Sequence, residues 1–340
     1  MLKINPLSTL YVGIDVSSKS NYICALDFFK NKYINSSFAN NQPGAEELAL
    51  KILECLKEHP DITTIVAALE STSVYSIHIA NYLSSCEELM RFKPYVFVLN
   101  PKCTANYKKS YIGLGKSDPI DAFVIADYAR AGNIESEPWR GSQFLALKRL
   151  TRHRLHLVEC MTREKTYLVS NLYLKFSELQ MLEGDDQPFC DIYGATSSSV
   201  LMEYFSPEEI LDSSEEDLIA FLAKKSRNRI KDISKTADLL KKAARDSYRL
   251  DKALYEPLNV SIASSFNCIE TFKREIKVID NAIEKEIKGL NPNAFIILQS
   301  IDGIGPVFAG GIIAEIGDIT AFHSSDACLL YTSDAADDKA

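Results

Sequence analysis

No apolar run in this 340-residue chain approaches the roughly 20 residues that a bilayer span needs. Its beginning also lacks a signal-peptide pattern. A membrane protein and a secreted one are disfavoured, and a cytoplasmic location is expected. The cysteines never form a CxxC pair: Cys24, Cys55, Cys86, Cys103, Cys160, Cys190, Cys268 and Cys328 stand singly. That argues against a disulfide framework and against a zinc ribbon, so they read as small buried hydrophobes. The stretches GIDVSSKS and ALESTSVY are too poor in glycine for the phosphate loops of a sugar-kinase-like ATPase, which is set aside. Positive charge is lacking as well, since the net charge is −8, the wrong sign for a nucleic-acid partner if only the sum counts. The distribution is more informative: residues 222–252 carry eleven lysines and arginines against four aspartates, and a local basic surface is expected there.

What the chain does have is a run of strand patterns. YVGIDVS, NYICALDFF and KYINSSFA are rich in β-branched and aromatic residues and separated by polar turns, which predicts an antiparallel meander over residues 10–40. AEELALKILECLKEH then places Leu48, Ile52, Leu53 and Leu56 on one helical face. TTIVAALE, a helical VYSIHIANYLSSC, YVFVLN and a further helix follow. Nearly continuous apolar strands alternating with helices imply a mixed, largely parallel sheet covered on both faces. Three meander strands and two strand-helix units are the element order of an α/β ribonuclease-H-like fold.

In that order the first strand carries Asp15 and the fourth ends on Glu70, which sets the two side by side at the sheet's edge. Asp118 and Asp121, at i and i+3 in GKSDPIDAFVIADYARAG, project from one face of a helix with Pro119 in its first turn and Ser117 or Asp118 as its cap. Each acid alone is as readily structural as functional. Together they suit a magnesium ion, which prefers hard oxygen ligands, and paired ions of this kind serve phosphodiester chemistry. No histidine or cysteine accompanies them, which disfavours zinc and iron. Lys116 is a candidate phosphate contact and equally a plain surface charge, while Ser17 and Ser18 read as turn residues.

Beyond Trp139 the pattern turns helical. Leu147, Leu150, Leu157, Met161, Leu168 and Leu172 recur at three, four or seven residues, compatible with an exposed amphipathic helix or a coiled-coil arm. Ile262, Phe266, Ile269, Phe272, Ile276, Ile279, Ile283 and Ile287 form a clearer stripe. Residues 183–217 between them read as an irregular acidic insertion. Gly303-Ile304-Gly305-Pro306 then separates two apolar helical stretches, a helix-hairpin-helix pattern whose turn can present free N–H groups to a DNA phosphate. From Cys328 the character breaks. CLLYTSDAADD can be spelled by a transposon-type sequencing adaptor, so residues 328–340 are read as an assembly artefact.

These motifs resemble the DEDD-type transposases of the insertion-sequence 110 family: LYVGIDVSSKSNYICALD, ALESTSVY, KSDPIDAFVIADYARAG and SIDGIGPVFAGGIIAEIGDI occur in that family's order. The resemblance implies a RuvC-like domain at 8–138 whose catalytic metal ligands are Asp15, Glu70, Asp118 and Asp121, with Mg2+ as the ion and Mn2+ as the alternative. It implies a helical coiled-coil arm at 139–290, joining copies into a dimer or tetramer, and the start of a transposase domain at 291–327. DNA contacts fall to Gly303, Gly305 and Lys116. The partners implied are DNA and a non-coding bridge RNA that chooses it, in a prokaryotic cytoplasm at the nucleoid. Members join DNA through a serine beyond the GIGP segment. Ser324, Ser325 and Ser333 lie too close to that segment to take the role, so the chain as written is expected to lack the nucleophile and to be inactive in recombination. A RuvC-like nuclease or junction resolvase, which has no need of the arm or the GIGP segment, and a non-catalytic nucleic-acid-binding fragment are the rival readings.

Overall fold

The computed structural model describes residues 4–134, 138–139 and 141–317. They fall into two units, one formed by residues up to 146 together with those from 312, the other by residues 147–311. Ser324, Ser325, Ser333 and the anomalous segment 328–340 lie outside the described residues.

The first unit is built on β1 (Thr9–Val16), β2 (Ser20–Leu26), β3 (Lys32–Ala39), β4 (Thr64–Glu70) and β5 (Tyr95–Leu99). They form one sheet in the order β3-β2-β1-β4-β5. β1 runs antiparallel to β2 and parallel to β4, so the meander and the parallel half meet at β1. Strict alternation of side chains gives each central strand two buried faces. Leu10, Val12, Ile14 and Val16, with Ile65, Ala67 and Leu69, pack beneath α1 (Gln42–Glu58), α2 (Tyr75–Ser85) and α3 (Glu87–Met90). Tyr11, Val66, Ala68, Phe97 and Leu99 pack on the other face, which also receives α4 (Pro101–Lys108) and α5 (Asp118–Arg130). This is the mixed RNase H-like sheet with flanking helices that the strand order predicts.

The second face has a seam of small residues. A Cβ on Gly13 would lie 2.2 Å from the Ala122 carbonyl oxygen and 2.3 Å from the Ala126 nitrogen. The backbone of α5 therefore rests directly on the backbone of β1, an approach that only glycine permits.

The second unit holds most of α6 (Ser142–Lys175), then α7 (Ala195–Glu203), α8 (Pro207–Asp212), α9 (Glu215–Ser226), α10 (Ile233–Asp246), α11 (Lys252–Leu290), α12 (Pro292–Gln299) and the first half of α13 (Pro306–Ile316). The isoleucine stripe of α11 is buried except at Phe272, which is half-buried. Arg154 of α6 is ion-paired to Asp280 of α11. Residues 183–217 correct the expectation of an irregular insertion: they fold mainly as short helices whose Val200, Leu201 and Ile210 enter a core with Leu168, Leu172 and Leu240. The expected basic surface is partly neutralised by that same segment, because Lys225 pairs with Glu203, Lys242 with Asp186 and Arg249 with Glu208.

Lys175 closes α6 from inside this core. It is 2% exposed, and its ammonium donates to the carbonyls of Leu201 at 2.7 Å and Tyr204 at 2.6 Å and to the Asn259 side chain. Burial pushes its pKa down from 10.5 to about 8, against the opposing pull of Glu209. Between those values the unfolded chain binds more protons than the folded one, so stability rises with pH there and is lost again as pH falls through about 8. Wild type is expected to gain roughly 1.5 kcal/mol relative to Lys175→Met between pH 8 and 9.5. Urea unfolding of both proteins across that window measures it, and parallel pH slopes would refute it.

Candidate functional site

Alternation along β1 and β4 turns Asp15 and Glu70 to the face that α5 covers. The parallel register pairs Ile14 with Leu69, so the next positions, Asp15 one residue before the end of β1 and Glu70 the last of β4, stand side by side. Neither opens onto bulk water fully, and both are partly buried. α5 begins just beyond, with Ser117 at its cap position, Pro119 in its first turn and both Asp118 and Asp121 in that turn. The expected side-chain cap is absent: Ser117 makes no such bond, and its carbonyl oxygen instead accepts from the Ile120 and Asp121 N–H groups at 2.9 Å. Asp118 is exposed and Asp121 half-buried.

The charges of the neighbouring acids act on Asp15 and Glu70. Burial first, then the charges of Glu70, Asp121 and Asp118, push the Asp15 carboxyl up from 3.8 to about 6, with Lys108 opposing. Glu70 is also raised, by burial and by Asp121, while a hydrogen bond from Thr104 and the charge of Lys108 pull it back. Like charges gathered at one sheet end disfavour ionisation unless a cation compensates them. The side chains nevertheless have partners of their own. Thr104 Oγ1 donates to Glu70 Oε1 at 2.5 Å, and Lys108 Nζ lies 2.5 Å from Asp121 Oδ1. As they stand, no three histidine, cysteine, aspartate or glutamate side chains among the described residues converge enough to hold an ion. The donor set is all carboxylate oxygen and carries more negative charge than Lys108 balances, which fits a hard divalent cation.

The supports around these acids were not among the sequence candidates. α4 starts where β5 ends, capped by the Asn100 side chain, which accepts from Lys102 N–H, and with Pro101 at its first position. Thr104 and Lys108 share one of its faces at i and i+4. The next row, Tyr107 and Tyr111, donates to Asp127, whose side chain is fully buried on α5. Arg130 Nε at 2.6 Å and Lys30 Nζ at 3.2 Å complete the ring of donors around that carboxylate. Burial alone would raise Asp127, but the hydrogen bonds from Tyr111, Arg130, Tyr107 and Lys30 outweigh it and hold the carboxyl below its ordinary range. The signal available in the sequence was the i, i+4 spacing of TANYKKSY directly after a strand. Ser17 is a turn residue as expected, accepting from Ser20 N–H and donating to the Ser20 carbonyl.

Lys116 is exposed, two residues ahead of Asp118. Gly303 and Gly305 lie in the turn between α12 and α13, Gly303 at φ +88° and Gly305 with open space where a Cβ would stand. Pro306 opens α13, and the Gly305 carbonyl accepts the Ala309 N–H at 3.0 Å. The hairpin has the form the sequence predicts, in a unit separate from Asp15 and its neighbours.

Residues 12–177 match a family profile for DEDD transposases of the IS110 type, described as a transposase. Residues 296–333 match the transposase IS116/IS110/IS902 family, a match that runs past Ala327. No curated protein matches the chain. A mixed five-stranded sheet ending in carboxylates, with two transposase profiles covering more than half of the chain, defines the class as transposase. Within that class the chain belongs to the IS110 family.

Proposed function

We propose that this protein serves DNA cleavage and joining for an insertion sequence, with Asp15, Glu70, Asp118 and Asp121 as the ligands of catalytic Mg2+, or Mn2+ in its place, and that joining needs a serine nucleophile which Ser324, Ser325 and Ser333 do not supply. The observation that carries the reading is the gathering of acids from β1, β4 and α5 at one sheet end, where the charges of Glu70, Asp121 and Asp118 act on Asp15. Bound there, the cation would polarise a phosphodiester oxygen and neutralise developing charge. Asp15, on which the charges of the other three act, is the central ligand. Thr104 orients Glu70, and the docking of α5 on Gly13 fixes where Asp121 stands. The turn at Gly303 and Gly305 receives a DNA phosphate through its backbone N–H groups, which a Cβ-free approach favours, and Lys116 adds a charge contact.

In this reading residues 8–138 are the RuvC-like catalytic domain, and 139–290 are an arm through which copies pair as a dimer or tetramer. Residues 291–327 begin the second transposase domain, and a non-coding bridge RNA selects the DNA in the prokaryotic cytoplasm. No helix among the described residues is long and apolar enough to cross a membrane.

Calorimetric titration of the chain with Mn2+, beside nicking of supercoiled DNA in Mg2+, Mn2+ or EDTA, tests the metal reading. Saturable Mn2+ binding and cation-dependent nicking are expected. Absence of saturable binding would sink the proposal. Nicking without joined products is expected of the chain as written and is shared with a RuvC-like nuclease, so joined products would exclude that rival and overturn the expectation of a missing nucleophile.

A further inference from the structure

Two rows of donors, one on α4 and one running from α4 into the turn that follows it, divide the labour at the sheet's end. Tyr107 and Tyr111 hold the buried Asp127, which fixes the end of α4 against α5. Thr104 and Lys108, one turn apart on the neighbouring face, reach two of the four acids. The Lys108–Asp121 pair is compact, at 2.5 Å, with side chains only 22% and 23% exposed. Its geometry follows from the helix: Lys108 is the last residue of α4, and the adjoining Tyr107 is pinned at 2.8 Å to Asp127. An Asp121 oxygen holding an ammonium that closely is unavailable to a divalent ion. Glu70 differs in the kind of partner: Thr104 gives one of its oxygens a neutral hydroxyl, whereas Lys108 sets a positive charge on Asp121 Oδ1.

We infer that Lys108 is a resident counter-ion of the carboxylate cluster, which a divalent cation must displace from Asp121 Oδ1 before that oxygen can join its ligands. This rests on the metal-ligand reading of the four acids. In the metal-free protein Lys108 compensates part of a charge that would otherwise open the junction of β1, β4 and α5. When the cation arrives the two positive groups compete for one carboxylate, so Lys108 is a positioning residue that lowers metal affinity and stabilises the empty fold. The same competition explains why the acids are coupled in charge yet do not converge on a common point.

The test compares the wild-type chain with Lys108→Gln, Lys108→Arg and Asp15→Asn by Mn2+ calorimetry and by thermal midpoint in EDTA and in Mn2+. Lys108→Gln is expected to bind Mn2+ about fivefold tighter, equivalent to about 1 kcal/mol, and to melt earlier than wild type in EDTA. Lys108→Arg, which keeps the ion pair, is expected to stay near wild type on both readouts. Tight binding by Lys108→Gln with none by wild type would support the inference in its strongest form. If wild type binds Mn2+ and Lys108→Gln binds it equally or more weakly, Lys108 is no competitor and the inference falls while the metal reading stands. If neither binds, the metal reading falls and takes the inference with it.

Discussion

Gly13→Ala is expected to lower the unfolding free energy of the first unit by about 3 kcal/mol, at the upper end of what a single added methyl costs in a packed core. The new Cβ would meet the Ala122 carbonyl oxygen at 2.2 Å, the Ala126 nitrogen at 2.3 Å and the Ala126 Cα at 2.8 Å. All three are backbone atoms of α5, so no flexible side chain can swing aside. Ordinary van der Waals separation returns only if α5 lifts off β1 by about 1 Å, and that loosens Ala122, Ile125, Ala126 and Ala129 from the sheet together. Asp121 travels with the helix, so Mn2+ affinity should fall alongside stability. Urea denaturation followed by circular dichroism reads the first effect as a shifted midpoint at unchanged slope. An unshifted midpoint would show that the seam is slack and that Gly13 does not set the height of α5.

The contrast between Gly13 and the acids shows which parts of this protein can be read from its letters. Asp15 and Glu70 were legible because a strand has period two and a parallel register carries the pattern across: once YVGIDVS and TTIVAALE are neighbours, their terminal acids meet. Asp118 and Asp121 were legible because i and i+3 share a helix face. The closeness of α5 to β1 was not legible, since a glycine inside an apolar strand gives no sign of which backbone will touch it. Thr104 and Lys108 were missed for a similar reason, their partners being 34 and 13 residues away in sequence and on other elements. The segment 183–217 misled in a different way. Its Gly194, Ser206 and Ser214 stand at the N-caps of α7, α8 and α9, and helices of six to twelve residues are too short to display a clear period. Turn-forming residues that punctuate short helices look the same, in sequence, as those that fill a loop.

Asp15→Asn is expected to abolish cation-dependent strand cleavage, by on the order of 10³-fold, and at the same time to make the metal-free protein more stable. The two effects have one cause. Burial and three neighbouring carboxylates raise the Asp15 pKa to about 6 from 3.8, so the folded state binds its proton more tightly than the unfolded one does. The stability this contributes is complete below pH 3.8 and is lost as pH rises through about 6. At neutral pH the ionised carboxylate is therefore a cost, up to about 3 kcal/mol from the size of the shift and about 1.5 kcal/mol after allowing for a side chain only half removed from solvent. Asparagine carries no charge and escapes it, so the variant should gain on wild type in EDTA as pH is raised from 4 to 7, and the gain should vanish when Mn2+ is added. An acid retained for structure would behave in the opposite way, because its removal would break a cap or an ion pair and lower stability at pH 7. Equilibrium unfolding of both proteins at the two pH values, with and without Mn2+, separates the cases. Loss of stability at pH 7 in EDTA would mark Asp15 as a structural acid and remove the centre of the proposed ligand set, whereas gain of stability with loss of cleavage is what a carboxylate held in place for a cation must show.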